Sequence, residues 1–148
     1  MSTSDKILDH VKNCFGYLVN DYGFYMNEKW DAEQSIEFEK DQLVIKVTRY
    51  WDSIVLVYIG FMDPSSHSIK TSHDLNNIVW YQLYKQGVSL QTQKMERIYS
   101  YRKNGLEQAV LCMSQLLRQY GEPFLKGDYS MEKDLASFEQ WLMDNEAT

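Results

Sequence analysis

The sequence predicts an α+β domain in which an N-terminal helix precedes a three-stranded antiparallel β meander, and about three C-terminal helices pack on the sheet. Three observations predict this class. Apolar residues recur at helical spacing near the amino terminus, alternate with polar residues between positions 35 and 50, and return to helical spacing after position 74. Strands and helices that segregate along a chain are typical of α+β domains rather than of alternating α/β domains.

The first predicted helix covers about residues 5–20. Ser4 can cap its amino end, and the helix closes at Asp21, Tyr22 and Gly23. The residues that give this helix one apolar face are Ile7, Leu8, Val11, Phe15, Leu18 and Val19. One amphipathic helix is therefore expected to open the domain.

The predicted meander contains three strands. Residues 35–39 (SIEFE) and 43–50 (LVIKVTRY) alternate between apolar and polar side chains, and residues 40–42 make the tight connection between them. The third strand, 53–61 (SIVLVYIGF), is apolar on both faces, so it needs cover on both sides of the sheet. The following residues 62–74 are polar and rich in turn formers, which predicts a surface loop.

Helices are predicted to follow this loop. The first begins at Ser72 or Asp74, whereas residues 88–103 fit a short helix and a strand equally and stay unassigned. Asn104 and Glu107 have the spacing of a capping box at the start of the next helix.

Residues 116–130 (LLRQYGEPFLKGDYS) are interpreted as a corner between the last two helices. Gly121 is expected in the left-handed conformation that ends a helix, and Pro123 prevents the helix from resuming. Strain in that conformation predicts that Gly121→Val destabilises the protein by about 1–2 kcal/mol. The apolar pair after the proline can dock on the core, and Ser130 caps the last helix. A phosphate-binding loop would need several glycines and a lysine followed by serine or threonine, and this pattern is absent.

Composition limits the function classes. At 148 residues, of which 44% are hydrophobic and 24% charged, the chain fits one globular domain, 1–148. Its net charge of −6 argues against a nucleic-acid partner and favours a basic one. No signal peptide is visible and residues 53–61 are too short to span a bilayer as a helix, so a cytoplasmic protein without a membrane partner is expected. Cys14 and Cys112 fit reduced thiols.

No motif in the sequence predicts catalytic residues, a cofactor or a metal. His67 and His73 share the predicted polar loop with two aspartates, but their spacing matches no ligand set. Cys14 lies on the apolar side of a helix, where cysteines are typically inert. Glu37 and Glu39 project from one sheet face, where they are expected to be solvated acids.

Three segments resemble those of small cytoplasmic bacterial α+β proteins, many uncharacterised and some encoded as immunity partners of secreted toxins. They are residues 20–24 (NDYGF) after the first helix, residues 55–61 (VLVYIGF) at the end of the meander and residues 116–128 (LLRQYGEPFLKGD). The resemblance implies a protein without catalytic residues or a cofactor, with a toxin as its binding partner. It implies no particular binding residue, because such interfaces differ from one pair to the next.

The sequence is compatible with three functions of different classes. The leading one is a non-catalytic protein that binds and neutralises a basic toxin, for which a nuclease is one candidate. The second is a general interaction or adaptor domain, including a homodimer formed through the third strand. The third is an enzyme that acts on a small molecule.

The candidate partner-binding residues lie on the outer side of the meander and are Glu37, Glu39, Lys46, Tyr50 and Trp51. This side mixes acids, aromatic rings and aliphatic side chains, which is typical of a protein–protein patch. The competing expectation is that the last helix packs over this side of the sheet, because a domain usually covers its own apolar surfaces.

Overall fold

The structure is a computed structural model that describes residues 3–30, 34–50, 54–66, 68–87 and 105–146. Its elements in chain order are α1 (Thr3–Cys14), α2 (Tyr17–Asn20), β1 (Tyr25–Lys29), β2 (Ser35–Lys40), β3 (Leu43–Tyr50), β4 (Ile54–Met62), β5 (Ile69–Asp74), α3 (Leu75–Lys85), α4 (Leu106–Tyr120), α5 (Glu122–Leu125) and α6 (Glu132–Glu146). The predictions for Trp51, His67, residues 88–103 and the side chain of Asn104 lie outside the described residues.

The five strands form one antiparallel meander in the order β1-β2-β3-β4-β5. The α+β class and the meander are confirmed, but the predicted number of three strands is wrong because both edge strands are missing from it. β5 lies within the segment predicted as a loop, and its first four residues are exposed. An edge strand can be short and polar, so neither edge shows the alternation that reveals a central strand.

Strand register collects the apolar side chains on one side of the sheet, here called the core face. The core face carries, from β2 to β4, Ile36, Phe38, Ile45, Val47, Val57 and Ile59, all buried. The helices add to the same cluster Val11, Ile78, Val110, Met113, Leu117, Leu135 and Phe138, and the turn between α1 and α2 adds Phe15. The main hydrophobic core therefore lies between the core face and the helices. The opposite side is called the outer face.

The amino-terminal helix is divided, so the single helix predicted over residues 5–20 is wrong in this respect. α1 ends at Cys14 and α2 starts at Tyr17, with Gly16 between them. A glycine inside a helix destabilises it by about 0.5–1 kcal/mol relative to alanine, which favours a break here. α1 begins at Thr3, so Ser4 is a residue of the helix and not the residue before it, as the prediction had it.

The start of α3 agrees with the prediction, and the start of α4 does not. Asp74 caps α3, because its carboxylate accepts a hydrogen bond of 2.9 Å from the amide of Asn76. α4 is instead preceded by Gly105, which has a φ of 84° and provides no side-chain cap. The helix therefore starts one residue later than predicted, after a glycine in a conformation that favours glycine, and the capping box itself, which needs the side chain of Asn104, lies outside the described residues.

The corner after α4 is built differently from the prediction. Gly121 has a φ of −90° and is not left-handed. α5 starts directly after it with Pro123 in its first turn, where the missing amide costs no hydrogen bond. The left-handed glycine of this corner is Gly127, with a φ of 87°. Phe124 and Leu125 are fully buried, which confirms that the apolar pair docks on the core.

The last helix begins later than predicted. α6 starts at Glu132, so Ser130 does not cap it in the predicted way. The amide of Ser130 instead donates to the carboxylate of Asp128 at 3.0 Å. An aspartate that accepts from the amide two residues further on forms an Asx turn, so Ser130 belongs to the turn before the helix.

We expect Gly121→Ala to destabilise the protein by about 2 kcal/mol through overpacking. A Cβ at this position would lie 2.8 Å from the carbonyl oxygen of Leu117 and 2.9 Å from its Cδ1. That oxygen accepts the amide hydrogen of Gly121 at 2.8 Å, so it cannot move without disturbing the end of α4.

The matched control is Gly127→Ala. A Cβ there meets open space, so only the left-handed backbone is unfavourable, by about 1 kcal/mol. Denaturant unfolding measures both variants, and a smaller loss at Gly121 than at Gly127 would show that the contact with Leu117 is not the cause.

Candidate functional site

The outer face of the sheet is the candidate functional surface. Side chains alternate along each strand, so the residues between the core-facing ones belong to this side. They include Ser35, Glu37 and Glu39 on β2, Val44, Lys46 and Thr48 on β3, and Leu56, Tyr58 and Gly60 on β4. Val44 is buried without being a member of the main core cluster, which shows that the outer face has a packed region of its own.

Four of the five predicted partner-binding residues fall on the outer face. Glu37 is paired directly with Lys46, Glu39 follows two positions along β2, and Tyr50 has a register position on the same side at the end of β3. The fifth residue, Trp51, is outside the described residues. The strand register thus assigns the four positions to one side of the sheet, and whether these residues contact a partner stays a prediction.

Glu37 is not the solvated acid that the sequence predicts. It is 9% exposed, and its carboxylate lies 3.2 Å from Nζ of Lys29. The reason is that β2 is flanked on both sides, by β1 and by β3, so the middle of the strand is covered. Glu37 therefore takes part in an ion pair within the sheet, whereas Glu39 is partly exposed.

A groove of about 370 Å³ lies on the outer face. Gly60 is one of its lining residues and is paired with Val44 on one side and Ser72 on the other. A Cβ at Gly60 would lie 3.2 Å from Cγ2 of Ile69, so the glycine gives this side chain room to lean over β4. The other lining residues are Lys46, Thr48, Leu56 and Tyr58.

The chemistry of this groove suits binding. Its described lining combines aliphatic side chains, three hydroxyl groups and one lysine, and contains no histidine, cysteine or carboxylate. Those missing groups are the ones that most often act as catalytic bases and nucleophiles. Aliphatic groups at the centre with polar groups around them are the usual composition of a protein–protein interface.

The last helix does not cover the outer face, so the competing prediction is wrong. Leu135, Phe138 and Leu142 of α6 belong to the main core cluster. The ring of Phe138 packs edge-on against Tyr81 of α3, with centroids 5.7 Å apart. α6 therefore pairs with α3 on the core side of the sheet.

A second polar cluster lies on the core face of β5. His73 is paired with Ile59 and is 3% exposed, so the prediction of a histidine in a surface loop is wrong. Its Nδ1 is hydrogen-bonded to Oε1 of Glu139, and its Nε2 lies 3.1 Å from Oε1 of Glu132. The ring of Phe61 packs edge-on against the imidazole, with centroids 6.2 Å apart.

Both glutamates have a further contact. Nδ2 of Asn77 donates to Oε2 of Glu139 at 2.9 Å, and Oγ1 of Thr71 lies 3.5 Å from Oε1 of Glu132. Burial lowers the pKa of His73, but the hydrogen bonds and negative charges of Glu139 and Glu132 together raise it by more. The pKa of His73 therefore lies above its ordinary value of 6.5.

The geometry of this cluster does not fit a metal site. The two carboxylates contact opposite nitrogens of the ring, so they cannot converge with one of these nitrogens on a single ion. Across the described parts of the chain, no three or more His, Cys, Asp or Glu side chains are grouped so as to hold a metal ion.

Cys14 has a histidine neighbour that the sequence interpretation missed, although the i, i+4 spacing of His10 and Cys14 on a helix is visible in the sequence. Sγ of Cys14 lies 3.6 Å from Nε2 of His10, and that nitrogen lies 2.8 Å from the carbonyl oxygen of Glu107, to which it can donate. Burial raises the pKa of the Cys14 thiol, which disfavours the thiolate that a nucleophile requires.

No protein-family model, no curated protein and no solved structure matches this chain. None of the helices in the described ranges combines the length and the apolar character needed to cross a membrane.

Proposed function

We propose that this chain is a non-catalytic binding protein that engages another protein through the outer face of its sheet. The groove around Gly60 is the observation that carries the proposal. Its volume of about 370 Å³ is at the lower end of the range of ligand pockets, roughly 300–1,000 Å³. An open groove of this size suits one or two side chains of a partner better than an enclosed small molecule.

The residues around the groove have the distribution of an interface. Leu56 and Tyr58 provide aliphatic and aromatic surface in its lining, Lys46 adds a charge to the lining, and Glu39 adds a second charge beside the lining residue Val44. Desolvated aromatic and aliphatic residues at the centre dominate binding energy, while charges at the rim act on association rate and specificity.

The narrower form of the proposal is that the partner is a basic toxin, as for immunity proteins. The net charge of −6 supports a basic partner, because opposite charge accelerates encounter. Residues 20–24, 55–61 and 116–128 resemble segments of small bacterial proteins, some of which are immunity partners of toxins. This resemblance supports a toxin as the partner. An adaptor domain or a homodimer that uses the same face is the alternative, and light scattering of the purified protein distinguishes a dimer from a monomer.

The proposal is tested by affinity purification from the native host with three versions of the chain: wild type, Leu56→Glu in the groove and Leu111→Glu on α4. Leu111 is 36% exposed, and α4 packs on the core side of the sheet, so it controls for adding a surface charge. We expect a protein partner with the wild type and with Leu111→Glu that is lost with Leu56→Glu. Retention of every partner by Leu56→Glu at unchanged melting temperature would contradict the proposal.

We expect Glu39→Lys to slow association with the partner several-fold and to weaken the salt dependence of the rate, because it reverses a charge beside the groove. Glu37 is unsuitable for this test, since a lysine there would face Lys29 and Lys46 within the sheet. Asp9→Lys on the exposed side of α1 makes the same change of net charge elsewhere. Stopped-flow or surface-plasmon measurements at two salt concentrations should show the larger effect at Glu39.

A further inference from the structure

The contacts of His73 indicate the charge state of its ring. Each ring nitrogen faces a carboxylate oxygen, and an ionised carboxylate only accepts hydrogen bonds. Both contacts are therefore satisfied only when both nitrogens carry a hydrogen. A neutral imidazole has one N–H and one lone pair, and the lone pair would face a negatively charged oxygen. The geometry points to an imidazolium that joins Glu139 and Glu132.

The two contacts are not equivalent. The side chain of Glu139 is 20% exposed and has its second oxygen bound by Asn77. The side chain of Glu132 is 29% exposed, and its further contact among the described residues is with the hydroxyl of Thr71 at 3.5 Å, the limit of a hydrogen bond. A neutral ring is therefore expected to keep its hydrogen on Nδ1 for Glu139 and to lose its attraction to Glu132.

The two glutamates lie at different positions along α6. Glu132 is the first residue of the helix, and Glu139 lies seven residues, or about two turns, further on. The buried apolar residues of α6 start at Leu135 and include Phe138 and Leu142. The first turn of the helix is thus attached to the sheet by the Glu132 contact and to α3 by a hydrogen bond between Asp134 and Tyr81, whereas the rest of the helix is attached by core packing as well.

Charged groups around the ring come from few elements. α6 contributes Glu132 and Glu139, and β5 carries Asp74 next in sequence, whose carboxylate caps α3 instead. β4 and α3 face the cluster with Phe61 and Asn77, which do not titrate. The charge of the ring is therefore balanced by the two glutamates of α6.

We propose that His73 is a proton-operated latch for the first turn of α6. With the ring protonated, Glu132 is held against β5 and the turn is closed. When the ring loses its proton, Glu139 stays bound while Glu132 moves to solvent, and the first turn of α6 opens without unfolding the remainder of the helix. This device is independent of the binding activity proposed for the outer face.

The first turn of α6 is expected to open at a pH above the ordinary pKa of histidine. The carboxylates of Glu139 and Glu132 keep the pKa of His73 above 6.5 despite its burial. The turn is therefore closed in mildly acidic solution and opens as the pH rises through the raised pKa.

The test is an NMR titration of the full chain that follows the ring carbons of the histidines and the amide hydrogen exchange of α6. We expect His73 to titrate above 6.5 and the amides that depend on the first turn, around Leu135, to lose protection over the same pH interval. Protection around Leu142 should be unchanged. Glu132→Gln should lower the pKa of His73 and remove the pH-dependent loss of protection, since the first turn then lacks the ionic contact at every pH.

The matched control is Glu122→Gln, an exposed glutamate paired with Lys126 on α5, which should leave both the titration and the exchange of α6 unchanged. Glu132 is partly exposed, so its glutamine variant is expected to fold, and its amide spectrum verifies this. A pKa of His73 at or below 6.5, or loss of protection that is the same in the wild type and in Glu132→Gln, would overturn the latch.

Discussion

Replacing His73 with alanine is expected to lower the free energy of unfolding by about 3 kcal/mol at pH 6. The change removes the cation between Glu132 and Glu139 and leaves the two carboxylates facing an empty, mostly buried space. Removal of one partner from a buried ion pair typically costs about 3–5 kcal/mol, and the partial exposure of both glutamates places this case at the lower end.

The pH dependence of this stabilisation follows from the sign of the pKa shift. The pKa of His73 is raised in the folded protein, so its contribution is complete below the unfolded value of about 6.5. The contribution is lost as the pH rises through the folded pKa. Denaturant unfolding at several pH values should therefore show a fall in stability above about pH 6.5 for the wild type and no such fall for His73→Ala.

His10→Ala is the control for this measurement. His10 can donate to the carbonyl of Glu107 near the surface and has a weak contact with the thiol of Cys14, so its loss should cost about 1 kcal/mol or less. Equal effects of the two substitutions at pH 6, or a wild-type stability that does not decrease above pH 6.5, would contradict the role assigned to His73.

Leu56→Glu is expected to weaken binding of the partner at least about 30-fold, the effect of losing a hot spot of about 2 kcal/mol. The substitution puts a carboxylate into the groove, where a bound partner would exclude water from it. Leu111→Glu should change the affinity less than twofold. Calorimetric titration with the purified partner gives both values, and comparable losses would mean that charge rather than the groove determines binding.

The central strands of the sheet were predictable because the side chains that they direct to the core are apolar. β2 and β3 alternate in a way that only a half-buried strand requires, and β4 shows the continuous apolar run of a strand with packed residues on both faces. β5 could not be found in this way. Its sequence, IKTSHD, is polar because its position at the edge leaves most of its residues exposed.

His73 shows why the polar cluster could not be predicted from the sequence. A histidine after serine and threonine has the local appearance of a loop residue, and its partners lie 59 and 66 positions away on α6. The pairing of β5 with β4 turns this side chain to the core face, and that pairing is a long-range contact. The i, i+7 spacing of Glu132 and Glu139 indicates one helix face but does not show what faces it.

Gly121 shows a different limit of prediction from the sequence. The sequence marks a glycine after a helix, and left-handed glycines are common there. In the structure the constraint is steric, because the carbonyl of Leu117 leaves no space for a Cβ. Both explanations predict an intolerant position, and only the three-dimensional packing distinguishes them.

The most direct test of the proposed binding surface is photo-crosslinking from defined positions in the complex with the purified partner. A photoreactive phenylalanine analogue is placed at Leu56 in the groove, at Leu111 on α4 or at Trp141, which is 41% exposed on the acidic α6. Binding through the outer face predicts a covalent adduct from Leu56 and none from the other two positions. Adducts from Trp141 or Leu111, with none from Leu56, would contradict it.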